Sequence, residues 1–189
     1  DDVTEVALAK YKKFLKSPDS LSPDLVETIC SIAAWNGNAK TFAELKKLYT
    51  NAKTMEQKLR FLGAMCGFQD KKLLIKTLDF SQTSEVRSQN MQLPIMKVAG
   101  NPYGEKVLWP WLKKNWKNIN KKVGHGNPLF NRIVASIAGV ADDSMENEIK
   151  LFFKNNPTPG TERTQSQTLE RIRINSKFLR TMRKEFKNG

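Results

Sequence analysis

His125 is the only histidine of the 189-residue chain, and it lies between Gly124 and Gly126. A single imidazole excludes a His-Glu-x-x-His zinc motif, a multi-histidine metal site and a histidine relay, and a lone loop histidine carries no chemistry by itself. Cys30 and Cys66 are far apart in sequence, and two cysteines make neither a disulfide framework nor a Cys-rich zinc site. No Gly-Lys-Ser/Thr phosphate loop and no Gly-x-Gly-x-x-Gly is present, and the one Asn-x-Thr triplet, at Asn156, is cancelled by Pro157. The carboxylates Asp142, Asp143, Glu146 and Glu148 sit where acids favour a helix N-terminus, a role that accounts for them without acid catalysis. Nothing here assembles a nucleophile, a base and an oxyanion site, so the chain alone is expected to lack a catalytic site and to hold no cofactor.

Basic charge is the other chemical resource. Thirty-two Lys and Arg against 19 Asp and Glu give a net charge of +13. Residues 97–123 hold seven lysines and one glutamate, and residues 160–189 hold eight Lys and Arg with three glutamates. In the first segment Trp109, Trp111 and Trp116 stand among Lys113, Lys114, Lys117, Lys121 and Lys122. Aromatics interleaved with cations are able to stack bases and neutralise phosphates. Yet Trp109, Leu112 and Trp116 fall at i, i+3 and i+7, the spacing of a buried helix face with lysines on the wet side. The core reading is therefore preferred over nucleic-acid binding. Arg87, in Val86-Arg87-Ser88-Gln89, reads either as a buried anchor or as a carboxylate binder.

The elements that must position these groups are helical throughout. Ser22-Pro23 supplies a cap and an N1 proline, and Asn36-Gly37-Asn38 closes the helix that follows. Thr41-x-x-Glu44 and Thr54-x-x-Gln57 read as capping boxes, and Asp70 as the cap of the next helix. Pro94 predicts a kink or break in a pattern beginning near Ser84. Asn101-Pro102 reads as a helix start, with a disturbance at Pro110. Asn127-Pro128 repeats the cap-plus-proline device, Asp143-Ser144 opens a helix from Met145 to Asn155, and Pro157 to Gly160 ends it. The longest periodic run is Glu162 to Phe186, with Leu169, Ile172, Leu179, Met182 and Phe186 on one stripe.

No alternating strand pattern occurs. The prediction is an all-α fold, an irregular α-α superhelix of HEAT- or armadillo-like helical hairpins, over residues 1–189 as a single helical domain. At 39% hydrophobic and 27% charged residues the chain is too apolar for a disordered polycation. No apolar run approaches the ~18 residues of a membrane span, so no membrane partner and a cytoplasmic setting are expected. Asp1 opens straight into a helical pattern, which suggests a cut from a longer protein.

The stretch Asn101 to Ile119, NPYGEKVLWPWLKKNWKNI, resembles the Asn-x-x-Gly-x4-Trp signature near the end of zinc aminopeptidases of the gluzincin group. That group includes puromycin-sensitive aminopeptidase, the endoplasmic-reticulum aminopeptidases and the tricorn-interacting factors. The likeness continues in order through Arg132-Ile133, the Glu148 to Phe153 helix, Glu162-Arg163-Thr164 and Glu170-x-Ile172-x-x-Asn175, with Val86-Arg87-Ser88-Gln89 upstream. Residues 1–85 match more loosely, through Leu59-Arg60-x-Leu62 and the Asp70 helix.

The resemblance implies the C-terminal part of the family's last, helical domain, with the catalytic domain and its zinc outside this chain. It further implies packing on that catalytic domain, enclosure of a peptide chamber and contact with the peptide substrate, in a parent that removes N-terminal amino acids from peptides. Asn101, Gly104, Trp109, Trp116, Arg163, Glu170 and Asn175 are the motif positions expected to be structural, and Arg87 is the first choice for substrate binding. Gly100 stands where one branch of the family carries Arg. A free-standing basic helical module for nucleic acid or another polyanion is the second reading.

Overall fold

The computed structural model describes residues 2–124, 127–140 and 142–188, with side chains to Phe186; His125 lies outside them. It is all-α, with ten α-helices and no strand among the described residues. Packing divides the chain into two compact units, Asp1–Val107 and Leu108–Gly189, and the division falls inside one helix.

The first unit begins with α1 (Val3–Lys16), capped by Asp2, whose carboxylate accepts from Thr4 N–H at 3.2 Å. α2 (Pro23–Trp35) starts on the N1 proline, although Ser22 makes no side-chain capping bond. α3 (Ala39–Asn51) starts earlier than the Thr41 box implied. Asn38 is its cap, accepting from Lys40 N–H at 2.9 Å, and Thr41 is the residue that answers back, its Oγ1 accepting from Asn38 N–H. The Thr54/Gln57 box opens α4 (Met55–Ala64), and Asp70 caps α5 (Lys71–Ser81), as read from the sequence. α1 packs on α2, α3 on α4, and α2 also on α4.

Their interface is apolar, with Leu45, Leu62, Leu74 and Leu78 fully buried. Two tyrosine hydroxyls add polar ties across elements. Tyr11 O–H donates to Glu44 Oε2 at 3.2 Å, and Tyr49 O–H donates to the Glu85 carbonyl at 3.0 Å. Burial pushes both hydroxyls above the ordinary phenol value.

Pro94 does not break a helix. It is the third residue of α6 (Gln92–Ala99), inside the first turn, where a missing N–H costs no helical bond. The stretch from Ser84 is turn rather than helix. Asn101-Pro102 likewise belongs to a turn, and α7 (Glu105–Val123) starts after it and runs on through Pro110.

In the second unit, α8 (Pro128–Ser136) is capped by Asn127, which accepts from Leu129 N–H at 3.0 Å. Asp142 rather than Asp143 caps the next segment, a 3₁₀ turn Asp143–Met145 that leads into α9 (Glu146–Asn155). α10 (Glu162–Asn188) packs on α8 and on the 3₁₀ turn Ile137–Gly139. Its expected apolar stripe is core only in part. Ile172 is fully buried, while Leu179 is 50% and Phe186 80% exposed.

Candidate functional site

The turn between α6 and α7 is a polar clamp built from the first motif residues. Asn101, 8% exposed, donates from Nδ2 to the carbonyls of Cys66 (2.9 Å) and Phe68 (3.0 Å), and its Oδ1 accepts from Tyr103 N–H at 2.8 Å. An amide side chain is required, because only it carries donors for two carbonyls and an acceptor for an N–H. Gly104 N–H donates to the Asn101 carbonyl at 2.8 Å, closing the turn. A Cβ on Gly104 would stand 1.9 Å from the Val98 carbonyl oxygen, so no side chain fits there. The clamp fixes the 3₁₀ turn Met65–Gly67 against the start of α7.

Over this clamp runs a groove. Its inner part, about 270 Å³, is lined by Ser31, Trp35, Gly63, Gly67, Lys97 and Gly100 among others. A hollow of about 560 Å³ along α2, reaching Asp24, Glu27 and Thr28, shares Ser31, Trp35 and Gly67 with it. The Lys97 ammonium pairs with Glu27, and both side chains are partly exposed, at 40% and 38%. Gly63 makes room for that pair: a Cβ there would meet Glu27 Oε1 at 2.7 Å and Lys97 Nζ at 3.1 Å. Trp35 and Tyr103, both partly exposed, stand edge to face at 5.7 Å, and Gln69 Nε2 donates to the Trp35 carbonyl at 3.0 Å. The groove thus offers an exchangeable cation, a glycine-rich floor and an aromatic wall.

Its thiol is not activated. Cys66 donates weakly to the Leu62 carbonyl at 3.3 Å, and burial pushes its thiol up to about 12; Cys30 is raised to about 12 for the same reason. Both are therefore neutral thiols at physiological pH. Among the described residues no three His, Cys, Asp or Glu side chains converge as a metal ion would require.

In the second unit Trp109 (2% exposed), Trp111 (5%) and Trp116 (1%) are core, and they are not stacking platforms. Trp109 Nε1–H donates to Glu148 Oε1 at 3.1 Å, and Lys113 pairs with the same carboxylate while lying 5.5 Å over the Trp109 ring. The Lys113 hydrogen bond, with help from Trp109, holds the Glu148 carboxyl below its ordinary range. The later motif residues anchor α10. Glu162 accepts from Gly160 N–H, where the chain has a positive φ of 87°, and Asn175 Nδ2 donates to the Ala138 carbonyl at 3.3 Å. Arg163 and Glu170 are exposed, and Glu170 lines a small hollow beside Arg171 and Ile174. Within the first unit Arg87 is exposed, ahead of the 3₁₀ turn Ser88–Asn90, which removes the buried-anchor alternative.

Comparison with known proteins supplies the family. The family model described as "ERAP1-like C-terminal domain" matches residues 1–174. The chain belongs to that family. Among its relatives, "Aminopeptidase M1-C" of Oryza sativa subsp. japonica is 31% identical over 92% of this chain and 19% of its own length. "Aminopeptidase 2, mitochondrial" of Saccharomyces cerevisiae is 26% identical over 94% and 19%, and "Aminopeptidase M1" of Arabidopsis thaliana 25% over 98% and 21%. The chain spans about a fifth of the length of the curated relatives it matches.

In this member of the ERAP1-like C-terminal family Asn101 and Gly104 build the clamp, Trp109 and Trp116 lie in the core and Asn175 bonds the Ala138 carbonyl, whereas Arg163 and Glu170 are exposed. The groove residues Lys97, Glu27 and Trp35, and Tyr103 against the Trp35 ring, escaped the sequence reading. Lys97 and Glu27 meet across 70 positions, and no local pattern announces such a pair. The only available signal was the recurrence of glycine at 63, 67 and 100 on elements that pack closely.

Proposed function

We propose that this chain is the non-catalytic, substrate-enclosing C-terminal part of a zinc aminopeptidase, and that its groove contributes to peptide binding. The observation that carries the reading is the family match over residues 1–174, together with aminopeptidase relatives about five times as long. The parent would remove N-terminal residues from peptides in the cytoplasm, with the metal-activated water supplied by a catalytic domain on which this one packs. We read the stacked hairpins α1–α2 and α3–α4 of the first unit as turns of a HEAT-like superhelix whose inner side borders the peptide chamber.

A peptide held at the metal by its N-terminus directs its C-terminal carboxylate away from the reacting bond. Lys97 would receive that carboxylate by releasing Glu27, and Trp35 and Tyr103 would flank the last side chains. Arg87, exposed and without an ion-pair partner among the described residues, is a second candidate cation. With the tryptophans in the core, the alternative of a polyanion-binding module rests on lysine charge alone.

The test uses the intact enzyme with peptides bearing free or amidated C-termini. KM for the free acid is expected to be several-fold lower at low salt, and Lys97→Ala removes the difference with kcat retained. Equal KM values for acid and amide overturn the role of the groove. The 189-residue chain alone is expected to hydrolyse no aminoacyl substrate with or without added zinc.

A further inference from the structure

At the turn ends of the α1–α2 and α3–α4 hairpins the first unit holds a cavity of about 610 Å³, which shares no lining residue with the groove over the clamp. Its floor is apolar. Phe14, Val26 and Phe61 are buried there, the two rings 6.3 Å apart, and Leu48 joins them. The connection from α1 to α2 supplies one wall, with Asp19 as the acid of the lining. In the same 3₁₀ turn, Pro18–Ser20, the Ser20 hydroxyl is buried and has no hydrogen-bond partner among the described residues. The other wall comes from the connection to α4 and from α4 itself, through Lys53, Gln57 and Arg60. Gln57 Oε1 accepts from Lys53 N–H at 3.2 Å and from Thr54 N–H at 3.4 Å, which fixes the amide and leaves its Nε2 donors unspent. Arg60 gives one N–H to Glu56 at 2.6 Å and keeps the other donors of its fork. Asp19 and Lys53 have no ion-pair partner among the described residues. With Glu56 balancing Arg60 and Asp19 balancing Lys53, the site carries no net charge but has two poles over an apolar floor.

We propose that this cavity binds a small zwitterion with an apolar body, the chemistry of a free apolar amino acid or an apolar dipeptide. The ammonium pairs with Asp19, the carboxylate with Lys53 and Arg60, and the apolar side chain lies on the Phe14 and Phe61 rings. Charge complementarity selects this class. A simple acid or a simple amine satisfies one wall and is opposed by the other, whereas a zwitterion answers both. Size agrees with it, since small-molecule sites span ~300 to 1,000 Å³, and a folded partner surface does not enter a concavity of that scale. The floor supplies most of the affinity and the poles supply orientation, because ion pairs at exposed side chains contribute little each. The site differs in every residue from the groove at Lys97 and requires no catalysis, so it stands independently of the aminopeptidase reading.

The experiment titrates the 189-residue chain with phenylalanine and with the dipeptide Leu-Phe, followed by backbone amide NMR. Saturable shifts are expected around Phe14, Val26, Ala52 and Phe61, and whichever probe binds more tightly identifies the source of the zwitterion. N-acetyl-Leu-Phe, which lacks the ammonium, and Leu-Phe amide, which lacks the carboxylate, are each expected to bind about two- to fivefold more weakly than Leu-Phe. Gly-Gly, with both charges and no apolar body, is expected to give no saturable shift. Asp19→Asn removes the preference for the free amine alone, and Lys53→Gln reduces the preference for the free carboxylate alone; both side chains are exposed, so the fold is retained. Ala52→Trp fills the cavity and abolishes the shifts. Equal affinity for Leu-Phe and its two blocked forms overturns the proposal, as does tighter binding of either blocked form, which assigns the cavity to a simple acid or amine. Shifts centred on Trp35, Lys97 and Tyr103 overturn it too, by assigning the ligand to the groove over the clamp.

Discussion

Trp116 provides the sharpest test of the second unit, because two substitutions at one position separate two physical effects. The ring is 1% exposed and lies edge to face with Phe130 at 5.4 Å, Phe152 at 5.2 Å and Phe153 at 5.6 Å. Trp116→Ala empties that site at a cost of about 3 to 5 kcal/mol. Three aromatic pairs, worth about 0.5 to 1.5 kcal/mol each, push toward the upper end. A second effect has the opposite sign. The indole Nε1–H is buried with no acceptor among the described residues, and an unmet buried donor costs about 1 to 3 kcal/mol. Trp116→Phe keeps an aromatic ring against its neighbours, deletes that donor and leaves a small void, so the gain and loss nearly cancel. The expected results are a loss of about 4 kcal/mol for Ala and of no more than about 1 kcal/mol for Phe. At about 2 to 4 °C per kcal/mol for a chain of this size, the Ala variant melts about 8 to 16 °C lower. Thermal and urea unfolding followed by near-ultraviolet circular dichroism reads both. A Phe variant as damaged as the Ala variant refutes the argument from the indole donor. An Ala variant within about 1 kcal/mol of the parent refutes the core placement itself.

Asn101→Ala leaves the Cys66 and Phe68 carbonyls unpaired and is expected to cost about 2 to 4 kcal/mol in urea unfolding. Gly104→Ala drives a Cβ into the Val98 carbonyl and is expected to cost about 3 kcal/mol in the same assay; a neutral result for either removes the clamp. The thiols of Cys30 and Cys66 are raised to about 12 by burial, so their contribution is intact below the ordinary thiol value and is lost as pH rises toward 12. Alkaline unfolding should steepen by up to about 1.4 kcal/mol per pH unit for each thiol, and Cys30→Ala with Cys66→Ala should flatten it. Hydrogen bonds from Arg173 and Lys150 hold the Glu146 carboxyl down at about 2, so its contribution is present above the usual carboxylate range and fades as pH falls toward 2. Glu146→Gln should therefore narrow the stability difference between pH 6 and pH 3, and an unchanged acid profile would count against the Arg173 link.

Local signals in the sequence carried most of the helix starts, and their failures share a cause. Thr54, Asp70 and Asn127 cap where they were expected to, because each stands alone as a polar cap before an apolar run. Asn38, which the sequence places in the segment closing the preceding helix, caps α3 one turn ahead of Thr41, and Thr41 completes the reciprocal bond. Proline was over-read twice. Pro94 sits in a first turn, and Pro110 is carried inside α7 by a helix whose apolar face is Val107, Leu108, Trp111, Leu112 and Ile119. Burial of such a face outweighs one missing backbone bond. Leu179 and Phe186 share an apolar stripe with Ile172 by periodicity, yet periodicity reports a face and not whether anything covers it.

The candidate site divides along the same line. Asn101, Gly104, Trp109 and Trp116 identify the family in the sequence because each meets a requirement that tolerates little change: two carbonyls to satisfy, a Cβ that does not fit, two rings inside a core. Those requirements concern folding. Lys97, Glu27, Trp35 and Tyr103 carry no such burden, being partly exposed and joined by one ion pair and one ring contact, interactions worth about 1 kcal/mol each at the surface. The walls of the groove can therefore be exchanged at little cost to stability, whereas the clamp beneath it cannot. The peptide groove proposed above thus rests on weakly held residues that lie outside the signature, Lys97 on α6 and Glu27 and Trp35 on α2, with Tyr103 the one neighbour that belongs to it.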